Sequence, residues 1–408
     1  MTHYPLPHVS NRLHADNIKL CFGNAQNSNL VSRSLSRYIG VVKGKIADHP
    51  DEWDLVKKMT NPYEYIHTTL PNSKHAVSKI RPLSRAFFKM IELGNMFDIF
   101  PVSDGTPIKS FHLAEGPGGF IEALTYIRFN NQDQYYGMTL IDETNSNVPG
   151  WRKANAFLKK NPNVTIETGA DRRGDLYNPA NLTHCWENYR NSMHLITGDG
   201  GFDFSIDFNR QETLALRLIL AQVAYAVAMQ ARGGTFILKM FDICLAASVD
   251  ILYMLSGLYQ EVHVVKPHTS RYANSERYIV CLGFRYRDSS DLVKRYISTL
   301  NLLNNMQVQG THISRILSSS PNARYRSALE EINAILGQQQ IETIQSTLRF
   351  IENKERKSEK LQQLRAKNIQ KCVSWCTKNK IPCHHTVPSG NIFMSSLPGR
   401  SNTNLKIK

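Results

Sequence analysis

A doubly wound α/β domain with a mostly parallel sheet is the fold that the sequence predicts, on three observations. Between Phe111 and Phe284, short apolar runs alternate with longer helical patterns, as successive βα units do. The first run ends in an acid and a glycine-rich turn, Glu115-Gly116-Pro117-Gly118-Gly119-Phe120, which opens a helix. The last two runs are separated by a polar stretch too short for a crossover helix, so they are expected to pair antiparallel at one side of the sheet. In order, strands are predicted over residues 110–114, 136–141, 194–198, 235–239, 261–265 and 278–284. A helix over 212–231 is expected to stop at Gly233-Gly234, whose freedom to take positive φ suits a C-terminal cap.

The flanks read differently. Residues 1–50 form an N-terminal extension of mixed polarity with little periodicity, and 51–110 a helical prelude broken at Pro71 and Pro82. Residues 111–288 are the α/β core, 289–380 a basic helical region, and 381–408 a tail whose Ser, Asn, Pro and Gly content predicts disorder. With 408 residues and 41% hydrophobic side chains, the chain can bury a sizeable core. Its longest apolar stretch is interrupted by Arg217, Gln222 and Gln230, so no transmembrane span is expected. No basic segment followed by an apolar run opens the sequence, which argues against secretion. Seven cysteines, an odd number without framework spacing, point to a reducing compartment. Cys372, Cys376, Cys383, His384 and His385 are zinc-compatible residue types, but their spacing is not that of a standard pair. The net charge of +15 suits an acidic partner, nucleic acid first. From Glu352 to Lys408, 12 basic residues against 3 acidic ones carry nine of those fifteen charges, as a basic appendage would.

Five stretches carry chemistry. The turn at Glu115–Phe120 sits where a doubly wound sheet opens its ligand crevice. Glu115 would repel a phosphate there, so the turn suits a ligand with an amino acid end, S-adenosylmethionine rather than a dinucleotide. Asp199 follows the third strand in Gly198-Asp199-Gly200-Gly201, and projects into the same crevice. Lys239 ends the fourth strand, where an ammonium must either reach water or find an acid. Glu276 stands just ahead of the last strand, and Lys89 lies on the helix before the sheet.

The set Lys89, Asp199, Lys239 and Glu276, in that order and on those elements, resembles the Lys-Asp-Lys-Glu tetrad of the FtsJ-like RNA 2′-O-methyltransferases. Phe111-His-Leu-Ala-Glu-Gly-Pro-Gly-Gly-Phe-Ile, Val264-Val-Lys-Pro-His-Thr-Ser and Asn274-Ser-Glu-Arg-Tyr-Ile-Val-Cys are similar, almost residue for residue, to the Adrift-type branch, the mRNA cap ribose methyltransferases. Asn61-Pro62-Tyr63-Glu64 is also typical of the cap enzymes. The resemblance implies a Rossmann-like methyltransferase sheet and methyl transfer to a ribose 2′-hydroxyl near the 5′ cap. In that reading Lys239 is the general base, Asp199 and Glu276 orient it, and Lys89 positions the ribose. A base needs the neutral amine: burial and the nearby Lys89 work toward it, Asp199 and Glu276 against it.

For the cofactor, the resemblance implies Glu115, Gly116, Pro117, Gly118, Gly119 and Phe120 on the methionine end of S-adenosylmethionine, Asp175 near the adenosine, Asp142 as a weaker candidate for its ribose hydroxyls, and Asp199. The product is S-adenosylhomocysteine, and the activated sulfonium requires no metal. For the RNA, Lys57, Lys58, Arg85, Asn209, Arg271 and Asn274 are expected contacts, with Tyr63 or Phe202 stacking on a base. The expected partner is capped mRNA, with capping or transcription machinery alongside and no membrane. The expected location is the cytoplasm, as for a large DNA virus replicating there. Two rival readings are 2′-O-methylation of ribosomal or transfer RNA and a catalytically silent RNA-binding subunit of a capping complex.

Overall fold

In the computed structural model, the described residues are 3–24, 30–99, 105–142, 144–145, 148, 150–201, 210–306, 311–353 and 358–384. The chain begins with strands β1 (His3–Pro5) and β2 (Ile18–Asn24), followed by helices α1 (Arg33–Gly44), α2 (Pro50–Thr60) and α3 (Ala86–Phe97). The βα succession then runs β3 (Lys109–Leu113), α4 (Gly119–Arg128), β4 (Gln134–Met138), α5 (Asn155–Lys160), β5 (Val164–Ile166), α6 (Pro179–Tyr189), β6 (Met193–Gly198), α7 (Gln211–Met229) and β7 (Gln230–Phe241). It closes with α8 (Ala246–Leu258), β8 (Tyr259–Val265) and β9 (Glu276–Phe284), after which come α9 (Ser290–Asn305), β10 (Thr311–Leu317), α10 (Ala323–Glu352) and α11 (Ser358–Lys378).

The eight-stranded sheet has the order β1-β8-β9-β7-β6-β3-β4-β5. Strands β5, β4, β3, β6 and β7 are parallel, and β9 runs antiparallel to both β7 and β8. The strand order reverses between β3 and β6, and a doubly wound sheet opens its crevice at such a point. All six predicted strands are present, and β8 and β9 pair antiparallel as expected.

Four features depart from expectation. The N-terminal extension is structured: β1 extends the sheet beyond β8, and β2 pairs with β10 across nearly 290 residues. Within it α1 is amphipathic after all, since Ile39 and Val42, with Ile46 on the turn that follows, pack with Trp53, Ile341 and Ile344 into a third core. The basic C-terminal region is no loose appendage, because Tyr325, Leu329 and Ile332 of α10 belong to the main core and Trp375 and Cys376 of α11 to the second. Finally, Gly233 and Gly234 do not cap α7. That helix ends at Met229, the chain turns directly into β7, and Gly233, at φ +81°, lies in an irregular stretch opposite β6. The predicted disorder of the tail falls on residues that, from His385 onward, lie outside those described.

The polar interruptions of the apolar stretch that forms α7 and enters β7 each have a partner, and a helix of span-like length and composition is buried here. The Gln222 amide oxygen accepts from Gly200 N–H, the Gln230 amide donates to the Met193 carbonyl, and Arg217 stacks 4.2 Å over the Tyr177 ring.

Helix α3 is held against α4 by a missing side chain. A Cβ on Gly119 would overlap Ser84 Oγ and lie 3.1 Å from both Ala86 Cβ and Phe87 N. Gly119→Ala is therefore expected to push α3 outward and cost about 1–3 kcal/mol, the usual range for overpacking. Urea denaturation checks this, and an unchanged midpoint would contradict it.

Candidate active site

Strand alternation decides which side chains meet above the sheet. On β7, Phe236, Leu238 and Met240 join the core under α7, whereas Ile237 faces α3 and places Lys239 on that same side. On β9, Tyr278 and Val280 share it, and the register sets Tyr278 opposite Lys239 and Glu276 opposite Phe241. Lys89 enters from α3, buried at 5% exposure.

These groups form one continuous chain. Lys89 Nζ lies 2.7 and 2.8 Å from the two carboxylate oxygens of Glu276 and donates to the Tyr278 hydroxyl at 3.2 Å. That hydroxyl donates to Asp199 Oδ1 at 2.6 Å. Lys239 Nζ donates to the Asp199 backbone carbonyl at 2.6 Å and sits 3.2 Å from Asp199 Oδ1. All four residues of the expected tetrad are thus brought together, with Tyr278 as the bridge. Burial alone would raise the Glu276 carboxyl, but Lys89, Lys239, Lys266 and Arg85 outweigh it and hold the group far below the usual carboxylate range. Lys89 is pushed down by burial, with Glu276 and Asp199 pulling it back up.

The chain lines one side of a cleft of about 710 Å³, a size suited to a small-molecule site. At its β3 end, Ala114, Glu115, Gly116 and Pro117 form the wall. Glu115 is buried, and neither carboxylate oxygen makes a hydrogen bond of good geometry among the described residues, although the Phe120 N–H approaches it. Burial, with Asp199 nearby, pushes its carboxyl well above the usual range, and the Phe120 N–H and Lys239 offset this only in part. His112 Nδ1 approaches to 3.4 Å, but burial lowers that imidazole to about 3, so it is neutral and supplies no charge. Farther along, Thr139, Leu140, Gly174, Asp175 and Tyr177 complete the wall.

Three of the expected cofactor residues stand behind this wall instead of lining it. Gly118, at φ +102°, supplies the turn, Gly119 the contact with α3, and Phe120 is fully buried beside Tyr278 in the second core. Asp142 does not line the cleft. Its Oδ1 accepts from the Thr144 hydroxyl and N–H and from the Asn145 N–H, which depress its titration and tie that oxygen to its own loop. Thr139 and Leu140 line the cleft where Asp142 was expected.

Among the expected RNA contacts, Arg85, Arg271 and Asn274 line the cleft. The Arg85 guanidinium has no ion-pair partner among the described residues. Arg271 is clamped by Glu64, donating through Nε at 2.9 Å and Nη2 at 2.6 Å. Glu64 is fully buried and also accepts from Asn61 and Thr68, which gives Asn61-Pro62-Tyr63-Glu64 a physical role: it presents Arg271. Lys57 and Lys58 lie on α2 outside the cleft wall, Lys57 paired with Asp54. Tyr63 stacks on His268, while Asn209 and Phe202 lie outside the described residues. Cys372 and Cys376 are core residues, and no group of three metal-ligating side chains occurs among the described residues.

Sequence reasoning missed Tyr278, Glu64 and Lys266. Tyr278 reads as one more apolar strand residue, although strand parity places it opposite Lys239. Glu64 stood only as part of a familiar motif, and Lys266 was quoted without a role.

The sheet order and the acid-glycine turn after β3, with the lysine-acid chain above it, define a Rossmann-like methyltransferase fold. Residues 82–284 match the family described as FtsJ-like methyltransferase, and the chain carries an FtsJ-like methyltransferase domain. It is 40% identical over 179 residues to a cap-specific mRNA (nucleoside-2′-O-)-methyltransferase 1 from Trypanosoma cruzi, covering 41% of this chain and 46% of that protein. It is 29% identical over 382 residues to a cap-specific mRNA (nucleoside-2′-O-)-methyltransferase 2 from Pongo abelii, covering 91% of this chain and 48% of that one. A solved structure of Aeropyrum pernix fibrillarin with natively bound S-adenosyl-L-methionine is 14% identical, covering 45% of this chain and 69% of its own at a TM-score of 0.29. The chain spans less than half the length of the curated relatives it matches.

Proposed function

We propose that this protein methylates a ribose 2′-hydroxyl near the 5′ cap of mRNA, with S-adenosylmethionine as donor. The observation that carries the reading is the Lys239-Asp199-Tyr278-Lys89-Glu276 chain, set in one cleft with the unpartnered carboxylate of Glu115. A buried carboxylate without a donor suits a ligand that brings its own ammonium group, as the amino acid end of S-adenosylmethionine does. Glu115 would hold that end, and Asp175 and Leu140 the nucleoside end. When bound, the cofactor supplies an activated methyl group on a sulfonium.

The chain's own residues must handle one proton and position one sugar. A ribose hydroxyl is a weak nucleophile at neutral pH, so its proton must leave as the oxygen gains carbon. In its neutral form Lys239 Nζ gives its two N–H groups to two oxygens of Asp199, which leaves the lone pair of the amine to take that proton and become the ammonium. Lys89, turned toward Glu276 and Tyr278, adds positive charge beside the oxygen as negative charge develops. Arg85 and Arg271 supply cations for the phosphate chain, and Arg271 is held in place by Glu64. The match to cap-specific relatives, which runs through the flanks as well as the core, favours the capped end as substrate.

The test is transfer of labelled methyl from S-adenosylmethionine to short RNAs that differ only in a methylated guanosine cap. Cap-dependent incorporation, blocked by a 2′-O-methyl already on the target ribose, is the expected result. Incorporation without a cap would move the substrate to other RNA, and none at all despite cofactor binding would overturn the reading. Separately, Glu115→Gln is expected to weaken cofactor binding by about ten- to a hundredfold, the loss of one charge-assisted contact. Calorimetric titration measures it, and an unchanged dissociation constant would remove Glu115 from the site.

A further inference from the structure

The β8–β9 connection, residues 267–275, reaches the cleft with Arg271 and Asn274 and delivers Glu276 to Lys89. It is a polar loop, yet it is held at three points by buried charged side chains, two from other elements and one from its own start. Glu92, three residues beyond Lys89 on α3, accepts from His268 N–H at 2.9 Å, Thr269 N–H at 3.0 Å and the Thr269 hydroxyl at 2.8 Å. Glu64 holds Arg271. The third anchor is Lys266, the first residue past β8.

Lys266 is an unusual lysine. It is buried at 8% exposure, and no carboxylate lies within ion-pair distance of it among the described residues. Its ammonium instead gives its three protons to three oxygens: the Asn274 carbonyl at 2.8 Å, Asn274 Oδ1 at 2.6 Å and the Glu276 carbonyl at 2.7 Å. The β8–β9 ladder ends at the pair Val265–Tyr278, so Lys266 takes up the Glu276 carbonyl beyond the last strand pair. A single side chain thereby joins the two ends of the loop and fixes the backbone of the acid that holds Lys89.

We propose that Lys266 is a positioning residue for the reaction: it touches neither substrate nor cofactor, and it sets the place and charge of Glu276 and, through Glu276, of Lys89. The proposal rests on the 2′-O-methyltransferase reading above. Burial lowers the Lys266 amine well below the usual range, with Glu276 pulling it back up; in its charged form it acts on the Glu276 carboxylate together with Lys89 and Arg85 from the α3 side and Lys239 from β7, while Asp199 and Tyr278 stand across from it. Removing Lys266 takes the donor from the Asn274 and Glu276 carbonyls, leaves Asn274 Oδ1 with only the Ser270 hydroxyl at 3.4 Å, and lets the Glu276 carboxyl titrate higher.

The test uses the full chain with Lys266→Met and Lys266→Arg. For Lys266→Met, kcat is expected to fall by about ten- to a hundredfold, the scale of a misplaced catalytic group. S-adenosylmethionine affinity, measured by calorimetry, should stay within about threefold, because the cofactor wall is built from β3 and β4. The acid limb of the kcat–pH profile should move to higher pH, which a merely structural role would not do. Lys266→Arg, which keeps the charge, should retain the wild-type limb even if its bulk lowers kcat. A Met variant with unchanged kcat and limb overturns the proposal. So does loss of cofactor affinity in step with activity, since that reports general unfolding, and a normal limb in the folded fraction of the Met variant would show the charge to be idle. A wild-type protein that transfers no methyl group would instead defeat the functional reading, with the cofactor titrations still telling the two failures apart.

Discussion

Lys239→Ala is expected to cut methyl transfer by about a thousandfold, within the range that a positioned general base contributes, while S-adenosylmethionine still binds. The expectation follows from position: Lys239 Nζ is the amine tied to both the carbonyl and the carboxylate of Asp199, in the cleft wall it shares with Glu115. Lys239→Arg should not restore the rate, since a guanidinium keeps its protons and cannot accept another. Single-turnover incorporation at saturating cofactor separates the chemical step from binding. If Lys239→Ala retained more than about a tenth of the wild-type rate, a base contribution of the usual size would be ruled out and the role of base would have to be reassigned.

The second large effect is on stability as well as substrate. Glu64→Ala leaves the Arg271 guanidinium, and the Asn61 and Thr68 donors, facing a buried gap. Breaking one side of a buried ion pair costs about 3–5 kcal/mol, and the presented arginine would no longer be held for a phosphate, so KM for RNA should rise. The same pair gives the protein an acid-sensitive term. Burial would raise the Glu64 carboxyl, but Arg271 lowers it to about 2, below its unfolded value, so the unfolded state binds the proton more readily. The contribution is complete above about pH 4.5 and is lost as pH falls toward 2, amounting to about 3 kcal/mol over that window. Denaturant titrations at pH 7 and pH 3 measure it; a Glu64→Ala variant that lost as much stability on acidification as the wild type would show that this term lies elsewhere.

What the sequence made legible is what local pattern encodes. The six core strands are apolar runs bounded by turns, and the four tetrad residues sit at strand ends or on a helix face, where charge in an apolar setting stands out. Glu115 was visible for the same reason. The missed strands are short or remotely paired: β5 has three residues, β1 three, and β2 finds its partner only at β10. No window of neighbouring residues records such a pairing. Gly233-Gly234 misled because glycine serves equally to end a helix and to break a strand's regularity, and only the β6 register decides between them. For Asp142, an acid after a parallel strand can face the crevice or cap its own turn, and here Thr144 two residues later takes one of its oxygens for the turn. Lys266 and Glu64 could not be weighed without distances, since their importance lies in which backbone and side-chain groups of a remote loop they reach.

The pairing of β2 with β10 bears on how the protein can be made. During synthesis, residues 18–24 emerge early and must wait for 311–317, almost three hundred residues later, before either strand has its hydrogen-bonding partner. Arg295 on α9 meanwhile donates to the Ile18 carbonyl, so a second late element closes on the same early segment. Ribosomes add about 5–20 residues each second, which leaves the N-terminal strand unpaired for tens of seconds. A chain stalled before residue 311 would expose that edge to other nascent chains, and a fragment cut to the catalytic core would give up the clasp that holds its beginning and its end together.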